Sequence, residues 1–243
     1  MSNAKKGLIV CGGWDGHEPE KVALRFQRML AAAGIEAEIS HTLEAYADLD
    51  YLMSLNIICP IWTDGELSGE LCGNVVKAVA SGVGLAGNHG GMCDSFRKNT
   101  EWQFMTGGNW VAHPGGITDY IVDICEDEQS PITEGLGSFA VKSEQYYLHV
   151  DPAVRVLATT HFPVQPYYHI SNPPFDMPVV WTKMWGNGRV FYNSLGHTDD
   201  VFDKSPEAAV LMKRGLAWAA EGKDIAVSEG LTVDRFISDR KNF

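Results

Sequence analysis

Gly7-Leu8-Ile9-Val10-Cys11-Gly12-Gly13-Trp14-Asp15-Gly16-His17-Glu18-Pro19 decides the fold class. A short apolar run ends in two glycines, a polar loop follows, and Pro19 leads into Val22, Phe26, Met29, Leu30 and Ala33 before Gly34. That is a buried strand, a glycine turn, and a helix with a 3.6-residue apolar stripe, started by proline and stopped by glycine. The pattern then repeats: 36–40 reads as a strand, 43–52 as a helical stretch, 56–60 as a third strand, 71–80 as a second clear helix and 83–86 as a fourth strand. Strands alternating with amphipathic helices predict an α/β chain, doubly wound around a mainly parallel sheet with helices on both faces. Ligands of such sheets sit at the carboxyl ends of the strands.

Beyond about residue 106 the texture changes and a β-rich C-terminal half is expected, with strand-like runs at 117–124 and 154–158. Runs at 179–184 and 189–194 flank Trp185-Gly186-Asn187-Gly188 and read as a hairpin, and a closing helix is expected over 205–220. With no repeat or linker between these parts, 5–221 reads as one domain, 1–4 as a tag remnant, and 222–243 as a C-terminal extension packing across the body or onto a neighbouring subunit. A homo-oligomer is compatible with that.

Composition narrows the partners. Against 31 acids stand 19 bases, a net charge of −12, so a nucleic acid or an anionic membrane surface would be repelled. A neutral or cationic small molecule fits better. The five cysteines (Cys11, Cys59, Cys72, Cys93, Cys125) are odd in number and lack zinc-ribbon spacing, which reads as reduced, mainly buried thiols. Lys5 and Lys6 precede only a short apolar run, far short of a secretory signal, so a cytoplasmic location is expected. No G-x-G-x-x-G opens a helix and no Walker lysine follows a glycine loop; neither NAD nor ATP is implied.

Two stretches carry chemistry. Val83-Gly84-Leu85-Ala86-Gly87-Asn88-His89-Gly90-Gly91 runs a buried strand into G-x-H-x-G, the shape of a nucleophile elbow with histidine at its centre. Imidazole at that place can act as a base or bind a metal. The second, Gly188-Arg189-Val190-Phe191-Tyr192-Asn193-Ser194-Leu195-Gly196-His197-Thr198-Asp199, empties a strand into a histidine with a carboxylate two residues on that can orient its tautomer.

With Trp110-Val111-Ala112-His113-Pro114, Ser130-Pro131-Ile132-Thr133-Glu134-Gly135-Leu136, Ser143-Glu144-Gln145-Tyr146 and Pro178-Val179-Val180-Trp181, these stretches make the chain resemble the ThuA-like (trehalose-utilisation) proteins, a branch of the class I glutamine-amidotransferase-like superfamily. The likeness runs from about Gly7 to Ala220. It implies a flavodoxin-like fold and an association with trehalose or related disaccharides broken down through 3-keto sugars. It also shows a departure: amidotransferases carry a cysteine at the elbow and a later His-x-Glu, where this chain has His89 and His197-Thr198-Asp199. Cysteine-dependent glutamine hydrolysis is not implied, and Cys93 reads as a packing residue.

The chemistry expected is acid-base or metal-assisted work on the enediolate of a 3-keto sugar. His89, His197 and Glu144 are the catalytic candidates. Substrate contacts are expected from His17, Asp15, Asn88, His113, Tyr146, His149 and Trp181, and zinc or manganese ligands from His17, His89, His113 and His197. Among Trp14, Trp62, Trp110, Tyr146 and Trp181, two or three rings are expected beside a sugar. His41, His161 and His169 have no supporting constellation. Two other readings stay open: a non-catalytic sugar-binding module, and a cysteine hydrolase using Cys93 or Cys11.

Overall fold

Along β1 (Lys5–Gly13) the side chains alternate between two separate cores: Ile9 and Cys11 enter one, Leu8 and Val10 the other. A strand buried on both faces needs helices on both, and the chain supplies them. The structure is a computed structural model and describes residues 4–126 and 129–237. After β1 come α1 (Pro19–Ala32), β2 (Ile35–Ser40), α2 (Leu49–Ser54), β3 (Ile57–Thr63), α3 (Gly69–Ala80), β4 (Gly84–Asn88) and the short helices α4 (Gly90–Cys93) and α5 (Thr100–Thr106). The strand-rich part follows: β5 (Gly108–Ala112), β6 (Ile117–Ile124), β7 (Phe139–Glu144), β8 (Tyr147–Val150), β9 (Arg155–Phe162), β10 (Phe175–Trp185) and β11 (Gly188–Asn193). It is closed by α6 (Val201–Lys204) and α7 (Pro206–Ser228).

Nine strands form one sheet in the order β2-β1-β3-β4-β11-β10-β9-β6-β7, and β5 pairs with β8 separately. From β2 to β11 all neighbours are parallel, giving the flavodoxin-like order of five parallel strands; beyond β11 they are antiparallel. Val22, Phe26 and Leu30 of α1 and Leu211, Met212 and Leu216 of α7 cover one face. Val75 and Val79 of α3 with Trp102 and Met105 of α5 cover the other. The doubly wound class and the β-rich second half are both present. Among the described residues no helix is long and apolar enough to cross a membrane.

The far end of the sheet has to curl. β7 lies four positions beyond β11, about 19 Å away on a flat sheet at about 4.8 Å per strand. Yet its last residue, Glu144, is 3.2 Å from His197, which follows β11. Pairing allows this: β6 meets β9 at its end, through Asp123 with Thr159 and Ile124 with Ala158, while it pairs with β7 from Ile117 to Val122. The β6–β7 hairpin swings over the sheet, and Tyr120, Val122, Phe139 and Val141 join the core that α7 covers.

Some expected elements differ. The helical stretch at 43–52 is broken: a 3-10 turn covers Leu43–Tyr46, and Asp48 then caps α2 by accepting the Tyr51 N–H at 3.0 Å. The helix expected to stop at 220 runs on to Ser228, with Gly222 and Ala226 buried, so the boundary drawn at 221 falls inside α7. Past it the chain returns over the β10–β11 turn, where the Asn187 amide donates to the Thr232 carbonyl and accepts from Arg235. Residues 1–3 of the tag remnant and 238–243 of the extension lie outside the described residues. α5, capped by Asn99 and ended by Gly107 in the left-handed region, carries too short an apolar pattern to be read from sequence.

α7 presses on β4 where Gly84 has no side chain: a Cβ there would lie 2.3 Å from the Ala219 carbonyl oxygen. Gly84→Ala is expected to cost about 1–3 kcal/mol, read as a lower urea midpoint at unchanged slope. An unaltered midpoint would contradict this close approach.

Candidate active site

Buried His17, Thr63, His89 and Glu144 and half-buried His197 converge where the parallel strands end. His17 follows β1, Thr63 ends β3, His89 follows β4, His197 follows β11, and Glu144 arrives on the tip of β7. This is the crevice predicted for a doubly wound sheet, since β1 leads to β2 on one side and has β3 on the other.

His89 stands at an elbow. Its φ of 45° and ψ of −135° are strained for a side-chain-bearing residue, a cost of about 1–3 kcal/mol that its surroundings must offset. They do so on every side: its N–H donates to the Asn193 carbonyl, its own carbonyl accepts from the Tyr192 hydroxyl, and its ring stacks on Tyr146 at 4.0 Å. Nδ1 lies 2.7 Å from the Ser194 carbonyl. A carbonyl only accepts, so Nδ1 carries the proton, and Nε2 of the neutral ring points a lone pair at Glu144 Oε2, 3.1 Å away.

That one oxygen is the hub of the site. His197 Nδ1 lies 3.2 Å from it, His113 Nδ1 3.5 Å and His17 Nε2 3.9 Å. The far nitrogen of His17, Nδ1, is fixed by the Thr63 hydroxyl at 2.7 Å. Gly90 makes room for this ring, because a Cβ at that position would sit 2.6 Å from His17 and 2.8 Å from the Thr63 hydroxyl. The donor atoms of His17, His89, Glu144 and His197 all lie within 4.8 Å of one another.

Burial lowers the pKa of His17 to about 3, helped by the neighbouring His89 and His197 imidazoles, and burial also lowers that of His89. Burial alone would raise Glu144, but the His197 and His89 imidazoles facing it override that and hold it well below the usual carboxylate range. Near neutral pH the centre is an ionised carboxylate with uncharged His17 and His89 rings against it.

The sequence candidates sort clearly by position. His17, His89, His113, His197, Glu144 and Tyr146 come together. Asn88 is adjacent, but its amide is committed to the carbonyls of Leu195 and Gly196, tying β4 to the loop that carries His197. Asp15 is exposed on the turn that leads into His17. His149 lies exposed on β8, beside Tyr147 and away from the cluster. Trp181 is a core residue, fully buried, donating to the Thr106 carbonyl and packed on Tyr192. Asp199 makes a two-point ion pair with Arg25 of α1, and the carboxylate beside His197 Nδ1 is Glu144, 3.2 Å away. Of the aromatics, Trp14 is 54% exposed and lies 4.7 Å from the His17 ring, and Trp110 flanks His113 under the Arg97 guanidinium. With Tyr146 they make three rings at the site. Trp62 is turned toward Gly12 and Gly65.

Cys93 is buried and its thiol is pushed well above the ordinary range by burial, while Cys11 is raised to about 11, so neither supplies a thiolate near neutral pH. Thr63 and the Ser194 carbonyl went unrecognised in sequence, although Thr63 stands at a strand end facing the same crevice.

Residues 6–219 match the family model of ThuA, described as trehalose utilisation. A ThuA-like protein of Bacteroides uniformis has a similar structure, with a TM-score of 0.72 at 21% identity over 90% of this chain and 93% of that one. Another, from Parabacteroides merdae, gives 0.71 at 16% identity over 90% and 91%. A cytoplasmic protein of Salmonella typhimurium gives 0.58 at 12% identity over 86% and 97%. At these identities the likeness is one of fold. No curated protein matches the chain in sequence.

The depressed His17 has a consequence for stability. Folded, it stays neutral down to about 3, whereas the unfolded chain protonates it near 6.5. Below 6.5 the unfolded state therefore binds more protons, and this contribution to stability, complete above 6.5, is lost as pH falls toward 3. Urea midpoints measured in chelator between pH 7 and 4 are expected to fall more steeply for the wild type than for His17→Gln. Equal slopes would show that His17 is not buried as an uncharged ring.

Proposed function

The chain belongs to the ThuA family, and from that premise we propose that it is an enzyme acting on a 3-keto sugar derived from trehalose or a related disaccharide. The observation that carries the reading is Glu144 ringed by four imidazoles at the strand ends, with exposed Trp14 and flanking Trp110 at the rim. Aromatic faces pack on pyranose C–H surfaces, and polar groups beneath them take oxygens. The family's trehalose-utilisation description supports a sugar substrate.

A carbonyl at C3 acidifies the proton on C2. A base removes that proton, and the electron pair forms the C2–C3 enolate with its charge on the C3 oxygen. Collapse of the enolate restores the C3 carbonyl, forms the C1–C2 double bond and expels the C1 oxygen, which takes up a proton. His89 is too deeply buried to meet a substrate carbon, so the proton transfers fall to the rim, where His113 has 39% of its side chain exposed. His17, His89, Glu144 and His197 form the floor beneath the substrate. Reprotonation at C2 instead of elimination makes the same site an epimerase or isomerase. None of the buried thiols Cys11, Cys59, Cys72 and Cys93 forms a disulfide, which suits a reducing compartment such as the cytoplasm.

A 3-keto disaccharide incubated with the protein and followed by NMR is expected to give monosaccharide, enone or epimer. His113→Ala is expected to lower kcat by about 10²–10⁴-fold with little change in binding. Iodoacetamide is expected to leave turnover intact. Thermal stabilisation by the sugar with no product from the wild type would overturn the enzymatic reading in favour of a binding module.

A further inference from the structure

We infer that His17 Nε2, His89 Nε2, Glu144 Oε2 and His197 Nδ1 form a binding site for one divalent transition-metal ion. The inference stands on hydrogen-bond accounting and distances, and it holds whether or not the substrate is a keto sugar.

The accounting is as follows for each donor. His89 spends its Nδ1 proton on the Ser194 carbonyl, which leaves Nε2 and Glu144 Oε2 as two lone-pair atoms facing each other at 3.1 Å. Two acceptors at that distance need a cation or a proton between them. His197 Nδ1 is buried and, although 3.2 Å from the same oxygen, makes no hydrogen bond of acceptable angle; His113 Nδ1 is buried and equally without a partner. His17 is held from behind by the Thr63 hydroxyl, so its Nε2 faces the cluster at 3.9 Å from Oε2. A hydrogen-bond partner on the far nitrogen of a ligating imidazole is the usual arrangement at metal centres. Here two of the three histidines have it.

The distances fit an ion. Ligands at about 2.0–2.1 Å around a tetrahedral zinc stand about 3.3 Å apart, and the observed separations from Oε2 of 3.1, 3.2 and 3.9 Å bracket that value. Closure needs only small movement of His17. Three imidazoles and one carboxylate select zinc, manganese, iron or cobalt over magnesium and calcium, which prefer all-oxygen sites. His113, the most exposed imidazole of the group, lies on the open side. It can serve as a fifth ligand or leave that position to an oxygen of the substrate. A cation here would place positive charge where an oxyanion forms, which the neutral rings and the carboxylate do not supply by themselves.

The test is metal analysis of full-length protein isolated without a nickel column from metal-supplemented culture. About one transition-metal ion per chain is expected, removable by chelator with a fall in Tm and restored by zinc, manganese or cobalt. Cobalt loading is expected to give visible ligand-field absorption. Glu144→Gln is expected to lose metal at least tenfold. The near-isosteric Thr63→Val, which leaves all four ligands in place, is expected to weaken binding by about 10–100-fold through the lost anchor on His17. Circular dichroism of both variants separates metal loss from misfolding. Absence of stoichiometric metal, with no Tm response to any of the three ions, would overturn the inference, as would wild-type metal affinity in a folded Glu144→Gln. Turnover of a 3-keto sugar by metal-free protein would overturn the catalytic use of the ion and leave the sugar reading standing. Bound metal without turnover would do the reverse.

Discussion

A single carboxylate oxygen, Oε2 of Glu144, is what four histidines at the strand ends are arranged around. An ionised carboxylate taken out of water is costly unless positive or hydrogen-bonding partners surround it. Here it faces imidazoles brought from four separate loops, and these need their own support. The Thr63 hydroxyl holds His17, the Ser194 carbonyl and the Tyr146 ring hold His89, and Ser143 accepts the backbone N–H of His197. The close approach of Gly90 to His17, the strained elbow at His89 and the curl of the β6–β7 hairpin all serve that one juxtaposition. The strain at His89 is the clearest sign, because a backbone conformation of that cost persists only where several interactions over-determine it.

The parallel half was legible because its signals are local. Four apolar residues before two glycines specify β1, and a proline followed by a 3.6-residue stripe specifies α1, whatever the rest of the chain does. His89 and His197 were legible for a related reason: a glycine-flanked histidine at a strand's carboxyl end is placed by the topology itself. The strands β5, β7 and β8 were not read, being short and held by distant partners.

The errors at the site have the same origin. Asp199 is two residues from His197 and was the natural orienting carboxylate, but Arg25, 174 positions earlier, takes it in a two-point ion pair. Trp181 lies in the family-like stretch and was placed near sugar, yet its indole is sealed between Tyr192 and the Thr106 carbonyl. Periodicity shows that a strand residue faces a core and not which core. Thr63 was missed because a threonine at a strand end carries no signal of its own; only the ring of His17 gives it a role.

The weak seam between β6 and β9 has an implication for how the protein comes to work at all. Glu144 rides on a hairpin whose paired strand residues meet β9 at Asp123 and Ile124, backed by the Cys125 N–H on the Leu157 carbonyl and by packing against the α7 core. Its ring partners are contributed from both ends of the chain, His17 near the start and His197 near the finish. No stretch of the polypeptide contains the centre, and no early folding unit can display it. The carboxylate meets its imidazoles only where β1, β4, β7 and β11 all stand in their native places, so the centre reports on the integrity of the whole sheet.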